Sequence, residues 1–204
     1  MRTFKHVTPR YVVDRTRLYF QQKEHPEHPW LTSAAIGILE SALLDTDVGA
    51  EFGSGRSTAW FVQRIGKLYS VEHNPEWHAI VERQSTAAID SGKLDYKLCE
   101  TEADYVGQIA RFDDESLDFC LVDGVWRDRC ALEVLPKMKK GSLLVIDNAN
   151  SYLPDDATRA PNSRRWADGA TSETWTRFIE ATRDWREIRT SNGVFDTRIW
   201  IRAR

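Results

Sequence analysis

The sequence predicts an α/β fold: a doubly wound, mostly parallel seven-stranded sheet with a reversed C-terminal β-hairpin. Apolar runs of strand length alternate with segments of helical period, the pattern of successive strand–helix units. Several runs are apolar on both faces, as strands covered on each side by helices must be. Residues 185–204, WREIRTSNGVFDTRIWIRAR, then read as two strands joined by a turn at SNG.

The first strand is VGAEFG (48–53), followed by the helical RSTAWFVQRIG (56–66). KLYSVEH (67–73) leads into PEWHAIVERQSTAAI (75–89), where Pro75 occupies a first turn that needs no N–H from it. LDYKLCE (94–100) precedes a short helix, EADYVGQIARF (102–112). LDFCLVDG (117–124) precedes RDRCALEVLPKMK (127–139), and GSLLVIDNA (141–149) is the fifth strand. Residues 150–171 are polar and without apolar period, the signature of a lid, a binding loop or disorder. ETWTRFIEATRDW (173–185) is the last helix.

Ahead of this pattern, residues 10–30 are basic, aromatic and punctuated by proline. LTSAAIGILESALL (31–44) is a helix with Thr32 or Ser33 as N-cap. The chain therefore divides into an N-terminal helical or cap segment, 1–44, and a domain spanning 45–204. The cap either covers the active edge of the sheet or packs on its back.

Bulk properties narrow the function classes. The chain has 204 residues, 41% hydrophobic and 29% charged, as a soluble globular domain has. A net charge of -3 argues against general nucleic-acid binding. No apolar run approaches the roughly 20 residues of a membrane span. The N-terminus lacks the apolar core of a signal peptide, so a cytoplasmic location is expected. Cys99, Cys120 and Cys130 are widely spaced and read as free, buried thiols. The sequence leaves a homodimer open.

The chemistry starts at EFGSG. A glycine turn after a first strand, with a helix behind it, lets backbone approach a ligand closely. Gly53 and Gly55 are followed by Thr58, so the third glycine of a pyrophosphate turn is missing. Glu51 would repel a pyrophosphate but suits a cationic group. Glu72, ending the second strand, stands where an acid can accept from ribose hydroxyls. No G-K-S/T follows, which excludes a P-loop.

These residues resemble the class I S-adenosylmethionine-dependent methyltransferases, over roughly residues 45–204. The resemblance implies a Rossmann-like fold and S-adenosylmethionine as cofactor. Glu51, Gly53, Ser54, Gly55, Glu72, His73 and Asp123 would line its site, with Glu100 near the adenine. Asp123, Asp147 and Asn148 end the fourth and fifth strands, an oxygen-rich set suited to Mg²⁺. The trio is similar to the metal site of the catechol and caffeoyl-CoA O-methyltransferases. Asp123-Gly124-Val125-Trp126 departs from those enzymes in lacking their lysine or histidine, and resembles bacterial methyltransferases associated with glycans or secondary metabolites.

Methyl transfer to a hydroxyl requires removal of a proton, through a metal or through Asp123 or Asp147 as base. Arg164, Arg165 and Trp166 are the candidate wall for a small-molecule or glycan-like acceptor. Two rival readings remain at this level. An NAD(P)-dependent oxidoreductase is disfavoured by Glu51 and the missing glycine, and a non-catalytic cofactor- or partner-binding protein would share the fold.

Overall fold

In the computed structural model residues 7–203 are described; residues 1–6 of the cap segment and residue 204 lie outside them. The chain runs α1 (Pro9–Glu24), α2 (Ser33–Ala42), β1 (Val48–Phe52), α3 (Arg56–Val62), β2 (Lys67–Glu72), α4 (Pro75–Gln84), α5 (Thr86–Asp90) and β3 (Leu94–Leu98). It continues through α6 (Glu102–Gly107), β4 (Leu117–Val122), α7 (Arg127–Glu133), β5 (Met138–Ile146), α8 (Glu173–Ala181), β6 (Arg186–Ser191) and β7 (Asp196–Ile201).

All seven strands form one sheet, ordered β3-β2-β1-β4-β5-β7-β6. β1 to β5 pair in parallel. β7 inserts antiparallel between β5 and β6. The predicted Rossmann-like α/β fold is present, with its reversed hairpin. The chain winds outward through β1, β2 and β3 and then returns to β4 beside β1. That reversal opens a crevice at the carboxyl ends of β1 and β4.

Both sheet faces are covered at the centre, which is why β4 and the second half of β5 carry apolar side chains on both faces. On β4, Phe119 and Leu121 face one side and Cys120 and Val122 the other, all fully buried. One face packs on α2 and α3 through Ile36, Leu39, Trp60 and Phe61. The opposite face packs on α6, α7 and α8 through Tyr105, Cys130, Trp175 and Phe178. Each such side chain contributes roughly 1.5–3 kcal/mol on burial. The three cysteines are buried and free.

Several elements differ from the expectation. The helix predicted over 75–89 breaks at Ser85, and the hydroxyl of Thr86 competes for the carbonyls of Glu82 and Arg83. The helix predicted over 127–139 stops at Glu133, and Met138 already begins β5. β5 ends at Ile146, leaving Asp147 and Asn148 in the turn beyond it.

The basic N-terminal stretch is helical from Pro9, with Thr8 as its N-cap. The two helices of the N-terminal segment pack in different places. α2 packs on the back of the sheet, its amide-accepting N-cap being Thr32. α1 lies against the long loop and the hairpin turn, where Asp14 meets Arg159 and Gly193. The 150–171 loop is irregular apart from single 3₁₀ turns at Ala149–Ser151 and Trp166–Asp168. It nonetheless buries Leu153, Asp155 and Ala160.

Candidate active site

The turns after β1 and β4 touch backbone to backbone. Gly53 has φ +101°, and a Cβ there would come within 2.4 Å of the Gly124 nitrogen. A Cβ on Gly124 would meet the Tyr105 hydroxyl at 2.1 Å. Only glycine fits either position. Gly124 also donates its amide to the Phe52 carbonyl at 2.6 Å, which locks the two turns together.

A cavity of about 420 Å³ opens beside this contact. Gly53, Ser54, Glu72, His73 and Asp123, all expected from the sequence, line it. So do Asn74, Trp77, Gly124 and Val125, which sequence reasoning missed as site residues. Asn74 was legible as the N-cap before Pro75: its side chain accepts from Trp77 N–H at 2.9 Å. The Trp77 indole then donates to the Ser54 carbonyl at 2.8 Å, bracing the glycine turn from outside. A larger groove, about 810 Å³ between α6 and α7, holds none of the predicted residues.

Glu72 is only 3% exposed, yet its carboxylate faces the cavity. One oxygen accepts the amides of His73 and Asn74, each at 2.9 Å. Its other oxygen accepts the Ser54 amide at 3.1 Å and the Ser54 hydroxyl at 2.9 Å. That hydroxyl also meets Tyr96 Oη at 2.6 Å, and His73 Nδ1 lies 2.9 Å from the first oxygen. A ligand hydroxyl can take the place of the Ser54 hydroxyl.

Glu51 lies one layer deeper, fully buried on the α3 side of β1. Its Oε2 accepts from Thr58 and Ser70, both at 2.6 Å. Thr58 in turn accepts the Gly55 amide at 3.0 Å. Glu51 thus holds the glycine turn from beneath, and its Oε1 has no partner among the described residues. Burial pushes its carboxyl up to about 7, against the opposing pull of the nearby Ser57, Ser70 and Thr58 hydroxyls.

Asp123 and Asp147 meet around Arg127. The Arg127 guanidinium pairs with Asp123 Oδ1 at 2.9 Å. It also donates to the carbonyls of Asp123, of Gly124 at 2.8 Å and of Asp147 at 2.5 Å. Burial raises the Asp123 carboxyl, and Arg127 draws it back. Asp147, 3% exposed, is pushed well above the usual carboxylate range by burial and then by the charge of Asp123. Asn148 follows in the left-handed region, φ +50°, which asparagine tolerates.

The remaining predicted residues stand apart from the cavity lining. Gly55 caps α3 behind the turn. Glu100 is exposed beyond β3. Arg164 donates to the carbonyls of Asp168 and Gly169 at 2.8 Å, and Arg165 to those of Asp155 and Asp156 at 3.1 Å. Both therefore hold the long loop to itself. Trp166 is 53% exposed and lines a different depression, with Trp185 and Arg198.

Residues 50–149 match the family model described as a methyltransferase domain. No curated protein sequence matches the chain. Among solved structures, an O-methyltransferase from Bacillus cereus in complex with SAH is similar, with 13% identity and a TM-score of 0.57 over 93% of this chain and 91% of that one. A methyltransferase from Geobacter sulfurreducens has 12% identity and a TM-score of 0.56, over 94% and 88%. An rRNA methylase from Streptococcus thermophilus has 11% identity and a TM-score of 0.51, over 84% and 95%. At such identities the likeness is one of fold.

Proposed function

We propose, from the match of residues 50–149 to a methyltransferase-domain model and from the Rossmann-like sheet order, that the protein is an S-adenosylmethionine-dependent enzyme that methylates an oxygen of a small hydroxyl-bearing acceptor, a metabolite or sugar. The observation that carries this reading is the Glu72 carboxylate: buried, turned into the crevice, and satisfied there by a movable Ser54 hydroxyl. It supports recognition of a ribose. The buried Tyr105 hydroxyl beneath Gly124, without a hydrogen-bond partner among the described residues, is a further polar group at this crevice. The family match weighs against the NAD(P) oxidoreductase reading.

Bound S-adenosylmethionine supplies an electrophilic methyl group, and the protein's task is positioning and proton removal. Asp147 is our candidate base. A carboxylate whose pKa is raised above its ordinary value is a better proton acceptor than an unperturbed one. Thr197 donates to its Oδ1 at 2.6 Å, which fixes the rotamer at the end of β5. Arg127 limits the repulsion between Asp147 and Asp123.

Mg²⁺ fits this arrangement poorly. The Arg127 guanidinium already provides the positive charge between the two strand ends, and Asp147 Oδ1 is engaged by Thr197. An octahedral ion with ~2.1 Å bonds would have to displace both. The metal-independent route is therefore the version we favour. Calorimetry with S-adenosylhomocysteine, followed by methyl-transfer assays over hydroxylated acceptors, tests the proposal; absence of S-adenosylhomocysteine binding would sink it.

A further inference from the structure

We propose that the turn between α1 and α2 is a binding site for a divalent transition-metal ion of the zinc class, with His25, Glu27 and His28 as its protein ligands. This site is separate from the crevice and does not depend on the methyl-transfer reading. His25 Nδ1 and His28 Nε2 each lie 3.5 Å from the same oxygen, Glu27 Oε1. The three ligand atoms lie within 4.8 Å of one another.

A separation of 3.5 Å is long for a hydrogen bond, whose usual length is about 2.9 Å. It is close to the ~3.4 Å ligand–ligand edge of a tetrahedron with ~2.1 Å metal bonds. The donor set, two imidazoles and a carboxylate, suits a borderline ion rather than Mg²⁺ or Ca²⁺. Three protein ligands leave a coordination position for water, as in exchangeable zinc sites.

The local sequence HPEHP builds this geometry. His25 ends α1, donating its amide to the Gln21 carbonyl at 3.0 Å. His28 donates its amide to the His25 carbonyl at 3.2 Å and closes the turn. Pro26 and Pro29 fix φ on either side. The two imidazoles lie side by side, ring centroids 4.6 Å apart and 11° from parallel, and a rotation of one ring brings both in-plane lone pairs onto a common ion. A cation here also sits at the C-terminal end of α1, the favourable pole of its macrodipole.

The ion would fasten an element that is otherwise lightly held. Within α1 only Asp14 and Leu18 are buried. Beyond the turn the chain is fixed: Trp30 packs under the Arg56 guanidinium at 5.3 Å, and Leu31 and Thr32 are buried. A bound ion would tie the end of α1 to this anchored stretch, next to the start of α3.

The test uses full-length protein free of any affinity tag. Zn²⁺ titration by calorimetry should give one ion per chain at micromolar affinity, and Co²⁺ should give the visible absorption of a four-coordinate site. Zn²⁺ should slow amide exchange across residues 9–31. His25→Ala/His28→Ala should weaken Zn²⁺ binding at least about tenfold, and Glu27→Gln by less; these side chains are partly exposed, so circular dichroism should be unchanged. Saturation absent up to about 100 µM Zn²⁺ would overturn the proposal. So would equal affinity in the double variant, which would place the ion elsewhere.

Discussion

Thr197, on the last strand, donates its hydroxyl to Asp147, at the end of β5, across 2.6 Å. The Thr197 oxygen in turn accepts the Thr32 amide at 3.0 Å. With that lone pair occupied by a donor, the single hydroxyl proton is directed at the carboxylate. The bond favours the ionised form of Asp147. Thr197→Val should therefore raise the Asp147 pKa further and move the acid limb of the pH–rate profile to higher pH. Turnover near neutrality should fall about 10-fold or more, the scale of a hydrogen bond to a charged group, with Thr197→Ser restoring it. An unmoved profile would exclude Asp147 as the base.

Glu72→Ala should weaken S-adenosylhomocysteine binding by roughly 1.5–3 kcal/mol, or about 10- to 150-fold. Calorimetry on the purified variant measures it directly. Because its carboxylate also caps the amides of Ser54, His73 and Asn74, Glu72→Gln is the companion variant that retains an acceptor. Retention of full affinity in both would detach the crevice from ribose recognition.

Glu51 makes stability depend on pH in a definite direction. Its folded-state pKa of about 7 lies above the ordinary 4.5. Between these values the folded chain holds the extra proton, so its contribution is fully present below about pH 4.5 and is lost as pH rises toward 7. The loss is roughly 3 kcal/mol. Urea melts at pH 5 and pH 8 should show Glu51→Gln losing this decline. Equal slopes for both proteins would place the ionised form of Glu51 in a better-solvated position than its burial indicates.

Gly53→Ala should destabilise the fold by about 1–3 kcal/mol, the usual cost of overpacking, and abolish cofactor binding. The added Cβ is driven into the Gly124 backbone and demands a φ that alanine rarely adopts. Gly37→Ala is the control, since a Cβ there meets nothing within 4 Å. Parallel thermal melts of the two variants separate the effects.

Methyl transfer should survive a chelator, because Arg127 rather than an ion compensates the two aspartates. Arg127→Met should depress turnover and shift the pH–rate profile upward, since both carboxyls lose their nearest cation. Activity abolished by EDTA and restored by Mg²⁺ would reverse this assignment.

The fold was legible because its signals are redundant: five apolar runs, a helical period after the first four, and a turn at the hairpin. That Gly53, Ser54, Glu72, His73 and Asp123 border one crevice was legible too, since their positions follow from strand ends. Trp77 and Gly124 reach the same cavity through tertiary contacts that no local pattern encodes. Glu51 looked like a ligand group because position along a strand does not say which face a side chain takes. Arg164 and Arg165 looked like substrate ligands, yet they hold the carbonyls of a loop too polar to pack by apolar burial. The helix break at Ser85 lay hidden in a stretch whose apolar period is continuous.

Because β7 lies inside the sheet, the order of synthesis matters. Glu72, Asp123 and Asp147 all leave the ribosome before the strand that must lie beside β5. Fifty residues separate Asp147 from Thr197. At ~5–20 residues per second that interval lasts roughly 3–10 s. Throughout it the nascent chain carries an unpaired β5 edge, a template for pairing with other chains. Recombinant yield should therefore respond to slower growth and to chaperone supply more than to the stability of the finished protein.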